Sequence, residues 1–194
     1  MVKTKIAVLV SGGGTNLQAL LDAQAAGKIP HGEIVLVVSN KEGAFALTRA
    51  EKAGVSTAVI TGKDFESRLM EVLRSNGIQM IVLAGFMNIL SADFTSKWPE
   101  RIINVHPALI PSFCGKGMYG LVPHVAALEK GVKVTGATVH FVNEIPDGGK
   151  IIDQKAVYVQ EGDTPEVLQR RVMEEAEWII LPRAVEKVSA EIQG

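Results

Sequence analysis

Asn104 and His106 stand two residues apart at the end of an apolar run, "IINVHPALIPS" (102–112), with Pro107 directly behind the histidine. Alternation along an extended chain puts both side chains on one side. Pro107 biases His106 away from helix and ends ladder hydrogen bonding. An amide and an imidazole then project together from a strand terminus. The amide can donate to a developing oxyanion, and histidine is the commonest general acid or base. The same pair also suits a small hydrogen-bonded feature of the core, and the residues alone leave both readings open.

Three other stretches carry candidate chemistry. In "VLVSGGGTNLQAL" an apolar strand ends at Val10, Gly12, Gly13 and Gly14 turn the chain, and a helix is expected to begin near Asn16 or Leu17. Free N–H groups at a helix start favour an anion, and glycine lets a phosphate come close. The spacing is neither G-x-G-x-x-G nor a Walker loop, so a plain tight turn competes with a phosphate site. "LAGFMNIL" (83–90) is an apolar loop at a strand's carboxyl end, which can be core or can wall a flat heteroaromatic ligand. In "NEIPDGGKI", Asp147 lies between Pro146 and Gly148-Gly149 and by itself reads as a turn. His31 and His124 carry weaker signals, and His140 shares a strand face with Thr138. No histidine pair has metal-ligand spacing with a third ligand nearby, so no metal is expected. Cys114, in "SFCGKG", has no base close in sequence and reads as an inert thiol.

The elements that must position these residues follow from periodicity. Short apolar runs recur at 6–10, 34–39, 57–60, 80–84 and 102–105. The first four are followed by helix-like segments at 17–26, 44–53, 65–75 and 91–97, which is the pattern of a parallel sheet covered on both faces. A helix near 121–130 precedes two strands, 136–142 and 150–159, close enough to pair as a hairpin. A long helix should then start at a Thr164 cap with Pro165 in its first turn, and Pro182 should kink or divide it. One compact α/β domain spanning 1–194 is expected.

Composition excludes several function classes. The 194 residues are 47% hydrophobic, enough for a full core, and carry 20 basic against 21 acidic side chains for a net charge of −1. That balance argues against nucleic acid as the main partner. No run approaches a membrane span, and the five-residue apolar run of "MVKTKIAVLVSGGG" is too short for a signal peptide. A single cysteine fits a reducing, cytoplasmic setting.

Taken in order, "SGGGTNLQAL", "VVSNKEGAFALTRA", "LAGFMNILS", "INVHPALIPSF", "TGATVHFVNEIPDGGKII" and "GDTPEVLQRRV" resemble the glycinamide ribonucleotide formyltransferases, folate-dependent enzymes of purine synthesis. The resemblance implies a Rossmann-like fold with a mostly parallel sheet of about seven strands. Its N-terminal half would bind phosphate and its C-terminal half folate. It implies formyl transfer from 10-formyltetrahydrofolate, as co-substrate, to the amine of glycinamide ribonucleotide. The acceptor would meet Gly13, Gly14, Thr15, Asn16 and Glu177. The folate would lie along Phe86, Met87, Asn88, Ile89 and Leu90, with Lys63, Asn143 and Glu144 nearby. Asn104, His106 and Asp147 would meet at the formyl group, with His140 in support. The chain departs from the family where an arginine often follows the Phe-Met pair, since Asn88 stands there, and where Lys63 matches an arginine only loosely. A carboxylate at Asp147 is expected to raise the pKa of His106 and favour imidazolium. The alternatives are a formyltetrahydrofolate hydrolase, which would use water as acceptor, and a non-catalytic folate- or nucleotide-binding module.

Overall fold

The computed structural model describes residues 2–194. Seven strands form one sheet in the order β3-β2-β1-β4-β5-β6-β7. β1 (Thr4–Val10), β2 (Gly32–Ser39), β3 (Ser56–Val59), β4 (Met80–Leu83) and β5 (Ile102–His106) are mutually parallel. β6 (Val134–Phe141) and β7 (Ile151–Tyr158) add antiparallel strands as the expected hairpin. The α/β architecture and the mostly parallel sheet of seven strands are as the sequence implies.

β1 illustrates why the sheet is covered on both sides. Ile6, Val8 and Val10 point into one apolar cluster and Ala7 and Leu9 into the other, all fully buried. The first face is packed by α1 (Thr15–Ala25), α2 (Phe45–Lys52), α5 (Val122–Lys130) and the C-terminal helices. The second is packed by α3 (Phe65–Ser75) and α4 (Ala92–Ser96), through Phe65, Leu69, Leu73 and Phe94. The chain winds outward from β1 to β3 and then crosses back to β4. The carboxyl ends of β1 and β4 therefore diverge into separate loops, and this switch point opens a crevice.

The C-terminal helix begins as expected, with the Thr164 hydroxyl accepting from the Val167 N–H at 3.3 Å. Pro182 does not divide the helix. Pro182 lies inside α7 (Trp178–Gln193), and the winding changes earlier, in a π-helical turn at Met173–Glu177 that follows α6 (Pro165–Val172). The wide turn stops at the residue before Trp178, whose carbonyl Pro182 leaves without its usual donor. α1 also starts earlier than expected, at Thr15, because Gly14 adopts the left-handed conformation (φ 72°) and turns the chain directly into the helix.

Candidate functional site

A cleft of about 600 Å³ opens at the carboxyl ends of β4 and β5. β5 delivers Asn104 and His106 to it on one face, as the alternation requires. Antiparallel pairing sets His140 opposite Asn104 and Thr138 opposite His106, so the two histidines and the asparagine share that face. The Asn104 amide lies 3.3 Å from His140 Nε2, and His140 Nδ1 donates to the Phe141 carbonyl at 2.7 Å. His106 Nε2 donates to the Phe113 carbonyl at 2.8 Å. Each imidazole thus has one nitrogen fixed by a backbone carbonyl.

The other nitrogen of each ring faces one carboxylate. His106 Nδ1 lies 3.5 Å from Asp147 Oδ2 and His140 Nε2 3.4 Å from Oδ1, while the Gly115 N–H donates to Oδ2 at 2.8 Å. Asp147, a turn residue by local sequence, is therefore brought between two histidines. Two tight features hold it there. Asp147 itself has φ 56°, the left-handed region that Asp enters more readily than most side chains, and Phe113 on the facing loop has φ 49°, where a bulky side chain is strained. At Gly149 any Cβ would overlap the Phe141 carbonyl, so the turn can fold against β6 only with glycine there.

Electrostatics correct one expectation. Burial holds the His106 pKa below its ordinary 6.5, and the opposing pull of Asp147 and of the Phe113 carbonyl does not make up the difference. Resting His106 is thus biased toward the neutral ring rather than toward imidazolium. Asp147 is shifted down. Burial pushes it up, but the hydrogen bonds from His140 and Gly115 and the electrostatic influence of the neighbouring histidines together outweigh that.

The opposite wall of the cleft carries Asn16 and Glu177, joined by a 2.6 Å hydrogen bond from the Asn16 amide to Oε2. Glu177 ends the π-helical turn, and burial pushes its pKa up to about 7 against the smaller effect of Asn16. Met173 also lines the cleft, its sulfur accepting from the Thr15 hydroxyl at 3.8 Å. Gly13, Gly14 and Thr15 sit behind Asn16, outside the cleft lining.

The third wall is the loop after β4. Phe86, Met87, Asn88, Ile89 and Leu90 all line the cleft. Phe86 stacks on Phe65 at 5.5 Å, the Met87 N–H donates to Ser11, and the Asn40 amide donates to Asn88. Met87 and Ile89 are exposed, as are Ile145 and Tyr119 on the other rims, so four unpaired apolar side chains surround one opening. Asn143 lines the cleft and Glu144 does not. Lys63 falls outside it, in an adjoining smaller cavity bordered also by Asn88 and Ile89.

Reasoning from sequence undervalued His124. It is buried, lines the cleft, and among the described residues has no hydrogen-bond partner for either ring nitrogen; burial and the nearby His106 lower its pKa to about 4. The available signal was its place in the first turn of α5 behind Pro123, beside the glycine-rich 113–120 loop. Cys114 behaves as expected, its thiol pushed up by burial and by Asp147. Among the described residues no group of three His, Cys, Asp or Glu side chains is arranged to hold a metal, and no helix is long and apolar enough to cross a membrane.

Comparison with known proteins identifies a family. Residues 4–185 match the model of the Formyl transferase family. A phosphoribosylglycinamide formyltransferase of Haemophilus influenzae is 41% identical over 187 residues, covering 93% of this chain and 85% of that protein. The trifunctional purine biosynthetic protein adenosine-3 of Gallus gallus is 48% identical over 97% of this chain, which spans 19% of that protein's length. The crystal structure of glycinamide ribonucleotide transformylase 1 from Symbiobacterium toebii matches with a TM-score of 0.90 at 40% identity, covering 97% of this chain and 89% of that one. A formyltetrahydrofolate deformylase from Pseudomonas syringae is alike in fold alone, at 24% identity and a TM-score of 0.87 over 98% of this chain and 62% of that one. The chain belongs to the formyl transferase family.

Proposed function

We propose that the chain transfers the formyl group of 10-formyltetrahydrofolate to the amine of N1-(5-phospho-D-ribosyl)glycinamide, a step of de novo purine synthesis toward IMP, in the cytoplasm. The observation that carries this reading is the union in one cleft of two unlike poles, Asn104–His106–Asp147–His140 and Asn16–Glu177, with an apolar rim between them. The names borne by the relatives of similar length support it.

In this reading the exposed Met87 and Ile89 and the stacked Phe86 receive the flat ring of the folate, with Asn88, Leu90 and Asn143 around it. Lys63 and Glu144 serve only the distal, solvent-facing part. Gly13, Gly14, Thr15 and Asn16 receive the phosphate through the free N–H groups that open α1. Glu177 meets the rest of the acceptor.

The amine attacks as a neutral nucleophile, and negative charge grows on the formyl oxygen. The Asn104 amide donates to that oxygen, a contact worth on the order of 3 kcal/mol. His106 starts neutral and gains its proton as the charge develops, because an anion at that point offsets the burial that disfavours imidazolium. The proton lost by the attacking amine passes by way of Asp147 and His106 to the departing folate nitrogen, so none is gained or lost overall. His140 holds Asp147 and Asn104 in place.

Purified protein mixed with both substrates should yield tetrahydrofolate and formylated acceptor in equal amounts. Formate release without the amine would instead favour the hydrolase, and ligand binding without turnover a silent module. Alanine at Thr15 and Asn16 should weaken the phosphorylated acceptor far more than folate, and equal losses in a calorimetric titration would remove the loop from the phosphate role.

A further inference from the structure

The glycine loop is gripped from outside by α2. The Ala46 N–H donates to the Gly12 carbonyl at 3.1 Å. A Cβ at Gly14 would lie 2.6 Å from Ala46 Cβ and 3.5 Å from Arg49 Cδ, so only glycine permits this approach. Arg49 then makes two bonds in different directions. Its Nε donates to the Gly13 carbonyl at 2.8 Å and its Nη1 to Gln18 Oε1 at 3.0 Å, in the first turn of α1. The guanidinium carbon sits 4.9 Å from the centre of the Phe45 ring, which braces it. None of the ion pairs among the described residues includes Arg49. A cation thus stands beside the loop with no carboxylate to neutralise it.

The geometry of one peptide links this cation to the loop. In a trans peptide the carbonyl of residue 13 and the N–H of residue 14 point in opposite directions. A guanidinium that holds the Gly13 carbonyl therefore fixes the Gly14 N–H on the side of the peptide away from Arg49. Gly14 has no side chain to resist that placement, and Gln18 fixes the guanidinium relative to the helix whose first N–H groups are free. A lysine could supply the charge but not the fork that makes both bonds.

We propose that Arg49 is a positioning residue that gives this site its preference for a phosphorylated acceptor over the same molecule without its phosphate. It does so by fixing the Gly13–Gly14 peptide with its N–H toward the phosphate and by keeping an unneutralised positive charge alongside. The proposal rests on the phosphate reading of the glycine loop. The same fork that binds carboxylates and phosphates elsewhere here holds the Gly13 carbonyl and the Gln18 side chain, and its residual charge acts on the ligand at short range.

The test is steady-state kinetics with the phosphorylated and the dephosphorylated acceptor, and inhibition by inorganic phosphate, for wild type, Arg49→Met and Arg49→Lys. Arg49→Met should raise KM for the phosphorylated acceptor by roughly 10–100-fold with kcat within about threefold, as expected for loss of a charge-assisted contact. The preference for the phosphorylated acceptor should shrink by the same factor, and inhibition by inorganic phosphate should weaken in parallel. Arg49→Lys should fall between the two and serves alone if the methionine variant lacks a cooperative thermal transition. Equal losses for both acceptors, or a lysine variant with undiminished preference, would overturn the positioning role. A wild-type enzyme indifferent to the acceptor's phosphate and to inorganic phosphate would show that the phosphate reading of the loop is itself wrong, and the proposal falls with it.

Discussion

Two carboxylates face the same cleft and are treated oppositely. Asp147 is flanked by two imidazoles and a backbone N–H, and its pKa is lowered despite burial. Glu177 is more deeply buried, has one neutral amide for company, and is pushed up to about 7. The same functional group is thus a standing anion at one pole and a group near its midpoint at the other. The difference lies in depth and partners together: burial raises both, more completely at Glu177, and only Asp147 has enough donors and positive neighbours to outweigh it. It teaches that the His–Asp–His pole is built to manage charge and protons, and the Asn16–Glu177 pole to adapt to what binds there.

The comparison breaks most sharply at the first pole. His106→Ala should lower kcat by roughly 10²–10⁴ while both ligands still bind, and Asn104→Ala should cost a similar order through lost oxyanion stabilisation. Single-turnover rates with saturating ligands check both. Near-normal turnover in either variant would mean that the chemistry is not at the end of β5.

Asp147→Asn sharpens the comparison because it removes charge with little change of size. The amide oxygen can still accept from the Gly115 N–H, so the loop should hold. The attraction that raises the His106 pKa disappears while burial stays, so that pKa should move further below 6.5. Any pH limb that needs protonated His106 should then shift to lower pH, and kcat should fall with it. NMR titration of the ring in both proteins measures the shift directly. Identical titrations would exclude electrostatic coupling between Asp147 and His106.

How much of this was legible in the sequence differs between the poles. Asn104 and His106 were readable because two-residue alternation and a following proline are local facts. Asp147 was not, since its place depends on the β6–β7 hairpin folding back and on Gly149 lying against Phe141, a long-range contact. The resemblance supplied the residue but not the sign of the His106 shift, which turns on burial that no motif encodes. At the other pole the sequence held a signal that was passed over. Leu168, Val172, Ala176, Ile180, Ala184 and Val188 recur every four residues and are all buried. A straight α-helix would rotate such a line by about 40° per step and carry it off the sheet. The π-helical turn offsets part of that drift, and Glu177 reaches the cleft as the last residue of that turn. Pro182 does not divide α7, because a helix can take in a proline when the change of winding comes ahead of it.

The smallest expected effect concerns stability, and it tests the second pole without any substrate. A carboxyl whose folded pKa is about 7 and whose ordinary value is 4.5 binds its proton more tightly in the folded state. Its contribution is fully present below about pH 4.5 and is lost as pH rises through about 7. Above that, the folded protein carries a buried carboxylate held by one amide. Glu177→Gln keeps a partner for Asn16 and cannot ionise, so at pH 8 it should be more stable than wild type, by about 1–3 kcal/mol. At pH 5 the two should melt alike, while acceptor affinity drops at both values. His124 has the opposite sign: with a folded pKa of about 4 it stays neutral while the unfolded ring charges, so it weakens the fold as pH falls from about 6.5 to 4. Thermal melts at pH 5 and 8 therefore separate the two groups, since only the alkaline difference should vanish in Glu177→Gln. A glutamine variant equally stable or less stable at pH 8 would mean that Glu177 is ionised and well satisfied at rest, and the contrast with Asp147 would collapse.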